Sequence, residues 1–284
     1  MNATLLTVLI VAALGATLAL VSGQRRWQTA TKRLAEKLDA ARLPFQAKVF
    51  SASELDGLPA PVQRFFRAAL TDGQRIVAGV AIGQTGTFNQ SATTAAWKPF
   101  TATQRVVTRR PGYFWDACIV MFPGAPVRVR DAYVAGEGIL QAAVFGLFPV
   151  ANLRDSGELA KGELMRFLAE AVWYPTALLP SQGIRWEAVE EHSARATLRD
   201  GAITIDLLFR FNADGLVDTM RAAARGQMVG VTVVQLPWEG RFWNYATRAG
   251  MRVPLEGEVA WIHPEGPRLY WRGRITKLDH EFAN

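Results

Sequence analysis

Cysteine is nearly missing from this chain: Cys118 stands alone among 284 residues. No intrachain disulfide is possible, and a disulfide-free chain suits either side of a bacterial inner membrane, so the compartment stays open on this count. Cys118 lies in the apolar run Ala117-Cys118-Ile119-Val120 and reads as a small buried hydrophobe, not a reactive thiol. Histidine is equally scarce. His192, His263 and His280 are far apart, and none has a His, Cys, Asp or Glu partner at a metal-ligand spacing, which argues against a zinc-type centre. There is no G-x-S-x-G elbow for a nucleophilic serine. The stretch Gly83-Gln84-Thr85-Gly86 does not lie between a strand and a helix, so a phosphate cradle is unsupported. No cofactor is implied, and no internal repeat or low-complexity stretch is visible.

Charge of either sign is absent from residues 1–22. Residues 23–43 then hold six basic side chains (Arg25, Arg26, Lys32, Arg33, Lys37, Arg42) and two acidic ones (Glu36, Asp39). That stretch supplies +4 of the net +7, leaving +3 over everything else. The basicity is therefore mainly juxtamembrane, suited to anionic lipid headgroups, and a nucleic-acid partner is not expected.

What the chain does have is apolar material. Half its residues are hydrophobic, and nine tryptophans outnumber five tyrosines. Residues 4–22 form an uncharged apolar run, nearly long enough as a helix to cross a hydrocarbon core of about 30 Å. A cleavable signal peptide usually carries a basic start, and no Lys or Arg precedes this run, so an uncleaved anchor over 1–23 is the preferred reading. The expected location is a bacterial inner membrane, crossed once. All the flanking positive charge follows the run, which by the positive-inside rule places the rest of the chain on the cytoplasmic side. Residues 24–43 read as a basic helical stalk ending near Pro44, solvated or lying on lipid with Trp27 at headgroup level.

The remainder, 44–284, reads as one antiparallel β-rich domain. A helix is expected over 58–71, with Leu58, Val62, Phe65, Phe66 and Ala69 on one face and Pro59 and Pro61 in its first turn. From residue 75 the hydrophobic period becomes two, giving strands near 75–90, 100–110, 113–121, 127–135 and 138–147. A second helix follows at about 156–173, with Asp155 and Glu158 forming a capping-box variant. Strands resume at 184–191, 193–199, 203–212, 216–225, 229–235, 239–246, 254–262 and 268–281. The clearest is Ile203-Thr204-Ile205-Asp206-Leu207, set off by Asp200-Gly201 and Asp214-Gly215. Short connections and no βαβ alternation predict an α+β fold, mostly antiparallel β. The best form is a curled sheet or half-barrel with one or two helices on its concave face; a closed barrel or a sandwich is the alternative.

Two groups of residues carry chemistry. Asp116 and Asp131 sit among aromatics, with Arg128, Arg130 and Arg166 as available partners; they read first as outward-facing strand residues in surface ion pairs, and alternatively as two carboxylates on one sheet face. The helix at 156–173 places Glu163 and Glu170 within reach of Arg166, either as a solvated ladder or as a polar device in an apolar cavity.

Several short motifs resemble an uncharacterised bacterial domain-of-unknown-function family. They are Leu58-Pro59 with Val62 and Arg64-Phe65; Phe114-Trp115-Asp116; Arg130-Asp131-Ala132-Tyr133 followed by Gly136-Glu137-Gly138; Gly162 to Pro175; Pro237-Trp238; and Pro254-Leu255-Glu256 with Trp261. At the level of fold the pattern is similar to the Lol-type periplasmic lipoprotein carriers, curled sheets whose helices plug an apolar concavity that takes acyl chains. That resemblance implies a periplasmic domain, against the charge rule. The expected function is a membrane-anchored binding module for a lipid or other apolar ligand. Its partners would be membrane lipid, a hydrophobic small molecule or a lipoprotein. Trp115, Tyr133, Phe167, Trp173, Trp186 and Trp238 are the expected lining, with Arg166 and Glu170 as polar contacts and no metal. The alternatives are an enzyme using Asp116, Asp131 or Glu170, and an interaction domain with a solid core.

Overall fold

A computed structural model of the chain describes residues 3–46, 48–89, 94–122, 124–229 and 232–284. Helix α1 spans Ala3–Ala40 and α2 spans Ala60–Ala69. Six strands follow: β1 Val77–Asn89, β2 Trp97–Val107, β3 Gly112–Phe122, β4 Ala125–Val134, β5 Glu137–Val144 and β6 Phe148–Asp155. Helix α3, Glu158–Glu170, and three short 3-10 turns between Ala171 and Gln182 lead to the second run. That run is β7 Arg185–Glu190, β8 Ser193–Asp200, β9 Ile203–Phe211, β10 Val217–Val229, β11 Thr232–Arg248, β12 Met251–His263 and β13 Gly266–Phe282.

All thirteen described strands form one antiparallel sheet in the order β6-β5-β4-β3-β2-β1-β13-β12-β11-β10-β9-β8-β7. The two ends of the strand sequence meet at the centre, where Val77 pairs with Phe282. The two edges, β6 and β7, are consecutive in sequence and are joined by α3, which lies inside the curl against β3, β4, β5, β9 and β10. The edges do not pair, so the sheet is an unclosed half-barrel and not a closed barrel. Its curl brings Arg110, after β2, to Asp200, at the end of β8, with 2.5 Å between Nε and Oδ1.

Helix α2 begins after Pro59 and buries Val62, Phe65, Phe66 and Ala69, the stripe its spacing predicts. Burying Val62, Phe65 and Phe66 stabilises by roughly 1.5–3 kcal/mol each. The stripe meets Trp186 and Phe211, with ring centroids 6.4 Å apart for Phe66–Trp186 and 5.6 Å for Phe65–Phe211. Gly138 admits α3 to the sheet: a Cβ there would stand 2.5 Å from the Ala160 nitrogen.

Three expectations on strands and helices change. β6 was not expected; Phe148-Pro149-Val150-Ala151-Asn152 lacks alternation because an edge strand exposed along most of its length needs none. The two strands expected at 229–235 and 239–246 are one, β11; residues 230 and 231 lie outside those described, as does residue 90 at the end of the first expected strand. Pro237 does not break β11, because Ala223 and Ala224 form a bulge opposite it: Ala222 pairs with Trp238 and Arg225 with Leu236.

The segment expected as a stalk is continuous with the apolar helix, and its inner face is docked on the outer surface of β2, β3 and β4. Leu34 and Leu38 are buried with Val107, Phe114, Ala132, Val134 and Ile139. Trp27, expected on lipid, is instead buried against the sheet beneath the Arg130 guanidinium, 4.1 Å from ring centroid to Cζ. Its indole N–H donates to both oxygens of Asp116 at 3.0 Å. Arg130 also donates to the Trp27 carbonyl and the Thr31 hydroxyl. Upstream of Ser22 the helix makes no cover for itself: residues 4–21 are exposed, and this is the one described helix long and apolar enough to cross a membrane.

Candidate functional site

Strand alternation sorts the polar residues of β3 and β4 onto two faces. Trp115 pairs with Asp131 and both point into the curl; Asp116 pairs with Arg130 and both meet α1 outside. The two aspartates are therefore on opposite faces, against the alternative reading that set both on one, since odd positions of both strands share the inner side.

Inside the curl, α3 brings Arg166 between the carboxylates of Asp131 and Glu170. Its Nη1 lies 2.8 Å from Asp131 Oδ2, and its Nε lies 2.8 Å from Glu170 Oε1. The guanidinium also faces the rings of Trp115 and Tyr113, at 5.0 and 5.2 Å. Glu163, expected to reach Arg166, instead accepts from the Tyr113 hydroxyl and faces Arg225 at 3.6 Å. The bulge in β10 places Arg225 there; its guanidinium lies 4.4 Å from the ring of Trp238. A relay of amides continues the network: Trp115 Nε1 donates to Gln84 at 2.7 Å, and Gln104 donates to Glu170 at 2.5 Å.

Beside this network lies a cavity of about 130 Å³. Its walls are Phe88, Trp115, Trp173, Trp238, Phe242, Tyr270 and Trp271, with Ala169, Met220 and Val259; its polar members are Asp131, Arg166, Glu170, Arg225 and Glu258. The volume is close to that of engineered apolar cavities that take a benzene ring, about 150 Å³.

Burial pushes the Asp131 carboxyl up to about 7, with the Glu163 charge adding to the rise and Arg166 and Arg225 opposing it. Burial, and then Glu163, also push the Tyr113 hydroxyl well above its usual range, so it stays a donor. For Arg166 burial works to lower the pKa, but Glu170, Tyr113, Asp131 and Glu163 together outweigh it and keep the guanidinium charged. Four of the cavity residues carry buried polar atoms without a partner: Asp131 Oδ1, Trp173 Nε1, Arg225 Nε and Trp271 Nε1. An unpaired buried polar atom costs about 1–3 kcal/mol, so four beside one cavity are a notable concentration.

Of the residues expected to line a site, Trp115, Arg166, Glu170, Trp173 and Trp238 are brought together at the cavity. Three are not. Tyr133 donates to Asp200 at 2.7 Å, Phe167 packs on Tyr174 with centroids 5.7 Å apart, and Trp186 lies among Phe66, Phe209 and Phe211. Arg225, Tyr270, Trp271, Phe88 and Phe242 were missed. Alternation along β13 carried a signal for Trp271; nothing in the sequence marked Arg225, whose place depends on the bulge. No group of three or more metal-ligating side chains occurs among the described residues.

The structure is similar to that of the LolA superfamily protein NE2245 from Nitrosomonas europaea, at 10% identity and a TM-score of 0.38, over 76% of this chain and 91% of that one. It is also similar to a β-barrel-like protein of the domain of unknown function DUF1849 from Brucella abortus, at 10% identity and a TM-score of 0.28, over 72% and 99% of the two chains. No curated protein matches the chain. A family model does match, over residues 56–280: the chain belongs to DUF6920, a family of unknown function.

Proposed function

We propose that the protein is a membrane-anchored binding module for an apolar or amphiphilic ligand, held by α1 in a bacterial inner membrane. The observation that carries this reading is the aromatic cavity with four unpartnered polar atoms beside it. Aromatic walls take an apolar group, and Asp131, Arg166, Glu170, Arg225 and Glu258 among the lining residues suit a headgroup with both acceptor and donor atoms. About 130 Å³ accommodates a ring or the end of a chain, not a whole acyl chain, so the ligand enters by one end. The lipid bilayer, a hydrophobic small molecule or a lipoprotein acyl group would supply it.

Tryptophan emission tests this reading on the full chain in detergent, because Trp115, Trp173, Trp238 and Trp271 wall the cavity and residues 3–26 hold no tryptophan. Titration with a short bromo-fatty acid is expected to quench saturably. Ala169→Leu, which fills the cavity from α3, is expected to abolish the saturable phase. Quenching that is linear in the wild type, or unchanged in Ala169→Leu, would end the proposal.

A further inference from the structure

Helix α1 is docked on the sheet at several points along its length, and this fixes which end of the half-barrel faces the anchor. At its C-terminal end Arg42 forks onto Glu281, Nη1 to Oε1 at 2.5 Å, and Leu43 donates to the Arg109 carbonyl at 3.0 Å. Leu38 packs where a Cβ on Gly112, the first residue of β3, would stand 2.7 Å from its Cδ1. Midway, Trp27 and Thr31 bind Asp116. At the other end Gly23 packs against Leu147, in the β5–β6 turn, and Gln24 accepts from Arg128 at 3.1 Å. The helix thus runs the length of β3 and β4, and its exposed apolar half continues past the β3–β4 and β5–β6 turns.

That same end has a distinctive surface. Val120, Phe148 and Val150 are 44%, 65% and 66% exposed. The chain from 117 to 128 and from 143 to 152 holds no acidic residue, whereas Arg25 and Arg128 sit beside it, in a groove with Gly124, Pro126 and Phe145. One wall of the cavity, Phe88, lies toward the same end. Half-exposed Phe88 pairs with Lys98, and Phe100, two residues on, pairs with Ile119, so Phe88 lies level with the far end of β3.

We infer that the β3–β4 and β5–β6 end of the half-barrel rests on an anionic bilayer surface, with the Phe88 side of the cavity turned toward that surface. This rests on the proposal that α1 spans the membrane. The apolar side chains enter the headgroup layer, the arginines meet lipid phosphate, and a ligand passes between bilayer and cavity without crossing water.

The test uses the full chain with Cys118→Ala, so that introduced cysteines are the only thiols. Val120→Cys, Phe148→Cys, Leu9→Cys in the apolar helix and Ser53→Cys at the opposite end are each labelled with an environment-sensitive nitrobenzoxadiazole. Each is reconstituted into phosphatidylcholine–phosphatidylglycerol vesicles with and without doxyl-labelled lipid. Labels at 9, 120 and 148 are expected to shift to the blue and lose emission to doxyl lipid, and the label at 53 is expected to do neither. Quenching at 9 with none at 120 and 148 overturns the inference and leaves the anchor standing. No quenching at 9 removes the anchor and the inference with it.

Discussion

Arg166 Nη1 lies 2.8 Å from Asp131 Oδ2, a contact that ties α3 to β4 across thirty-five residues of sequence. The same guanidinium holds Glu170 through its Nε, so one cation serves two carboxylates in an enclosed place. Removing a partner from such a group leaves unpaired charge behind. Arg166→Leu is expected to lower the unfolding free energy by about 3–5 kcal/mol. Arg166→Lys should recover only part of that, because one ammonium lacks the planar fork. Denaturant unfolding checks both; equal stability of wild type and Arg166→Leu would show the network is not formed.

The Asp131 carboxyl, raised to about 7 in the fold against about 3.9 unfolded, gives stability a pH dependence of known sign. The folded state binds the extra proton between those values. Its contribution is therefore full below the unfolded pKa and is lost as pH rises toward 7, by up to about 1.4 kcal/mol per pH unit. His280, which burial pushes down, works in the opposite sense below its unfolded pKa of about 6.5. The difference between wild type and Asp131→Asn isolates the aspartate. Between about pH 5 and 7.5 the unfolding midpoint of the wild type should fall steadily relative to that of Asp131→Asn as pH rises; parallel curves, or a rise, would contradict the raised value.

Trp27 joins α1 to the sheet through Asp116 and Arg130. Trp27→Ala removes a buried indole and uncovers a buried guanidinium, with an expected loss of about 3–5 kcal/mol at this contact. Because Lys32, Arg33 and Lys37 are exposed on the helix, trypsin should then cut faster within 32–37 once the helix lifts. An unchanged cleavage rate would mean that Leu34 and Leu38 hold the helix without it.

Gly138 lets the first turn of α3 touch β5. Gly138→Val is expected to push α3 outward and destabilise by about 1–3 kcal/mol. Since α3 also carries Arg166, Ala169 and Glu170, the same variant should weaken saturable quenching by a bromo-fatty acid. Loss of stability with ligand response intact would separate the helix position from the cavity.

The sheet was legible wherever one face is buried. Ile203–Phe211 alternates because its two faces meet different surroundings, and its bounds fall within a residue of the expected 203–212. β6 escaped because neither face is buried for most of its length, so no alternation was selected. β11 was expected as two strands, 229–235 and 239–246, with Pro237 in the gap between them; the bulge that accommodates Pro237 lies on a different strand, Ala223–Ala224 of β10. The site followed the same rule. Arg166, Glu170 and Trp173 share a helix exit and were found together, whereas Arg225 reaches the cavity only through that bulge. Trp186 and Phe167 resemble lining residues by type alone; Trp186 meets Phe66 of α2 and Phe167 meets Tyr174, neighbours that the sequence does not place. The docked helix was half legible: Leu34 and Leu38 gave its apolar stripe, but their partner was the outer face of the sheet.

The strand order places β1 beside β13, so the middle of this sheet is built from the two far ends of the domain's chain. Each half, β1 to β6 and β7 to β13, zips up from neighbouring hairpins, but the seam between them closes only over some two hundred residues of separation. During synthesis an anchored nascent chain would therefore wait with one edge of β1 open until the last seventeen residues of strand, Gly266–Phe282, have emerged. A stop codon before β13 would not trim an edge; it would split the half-barrel along its spine.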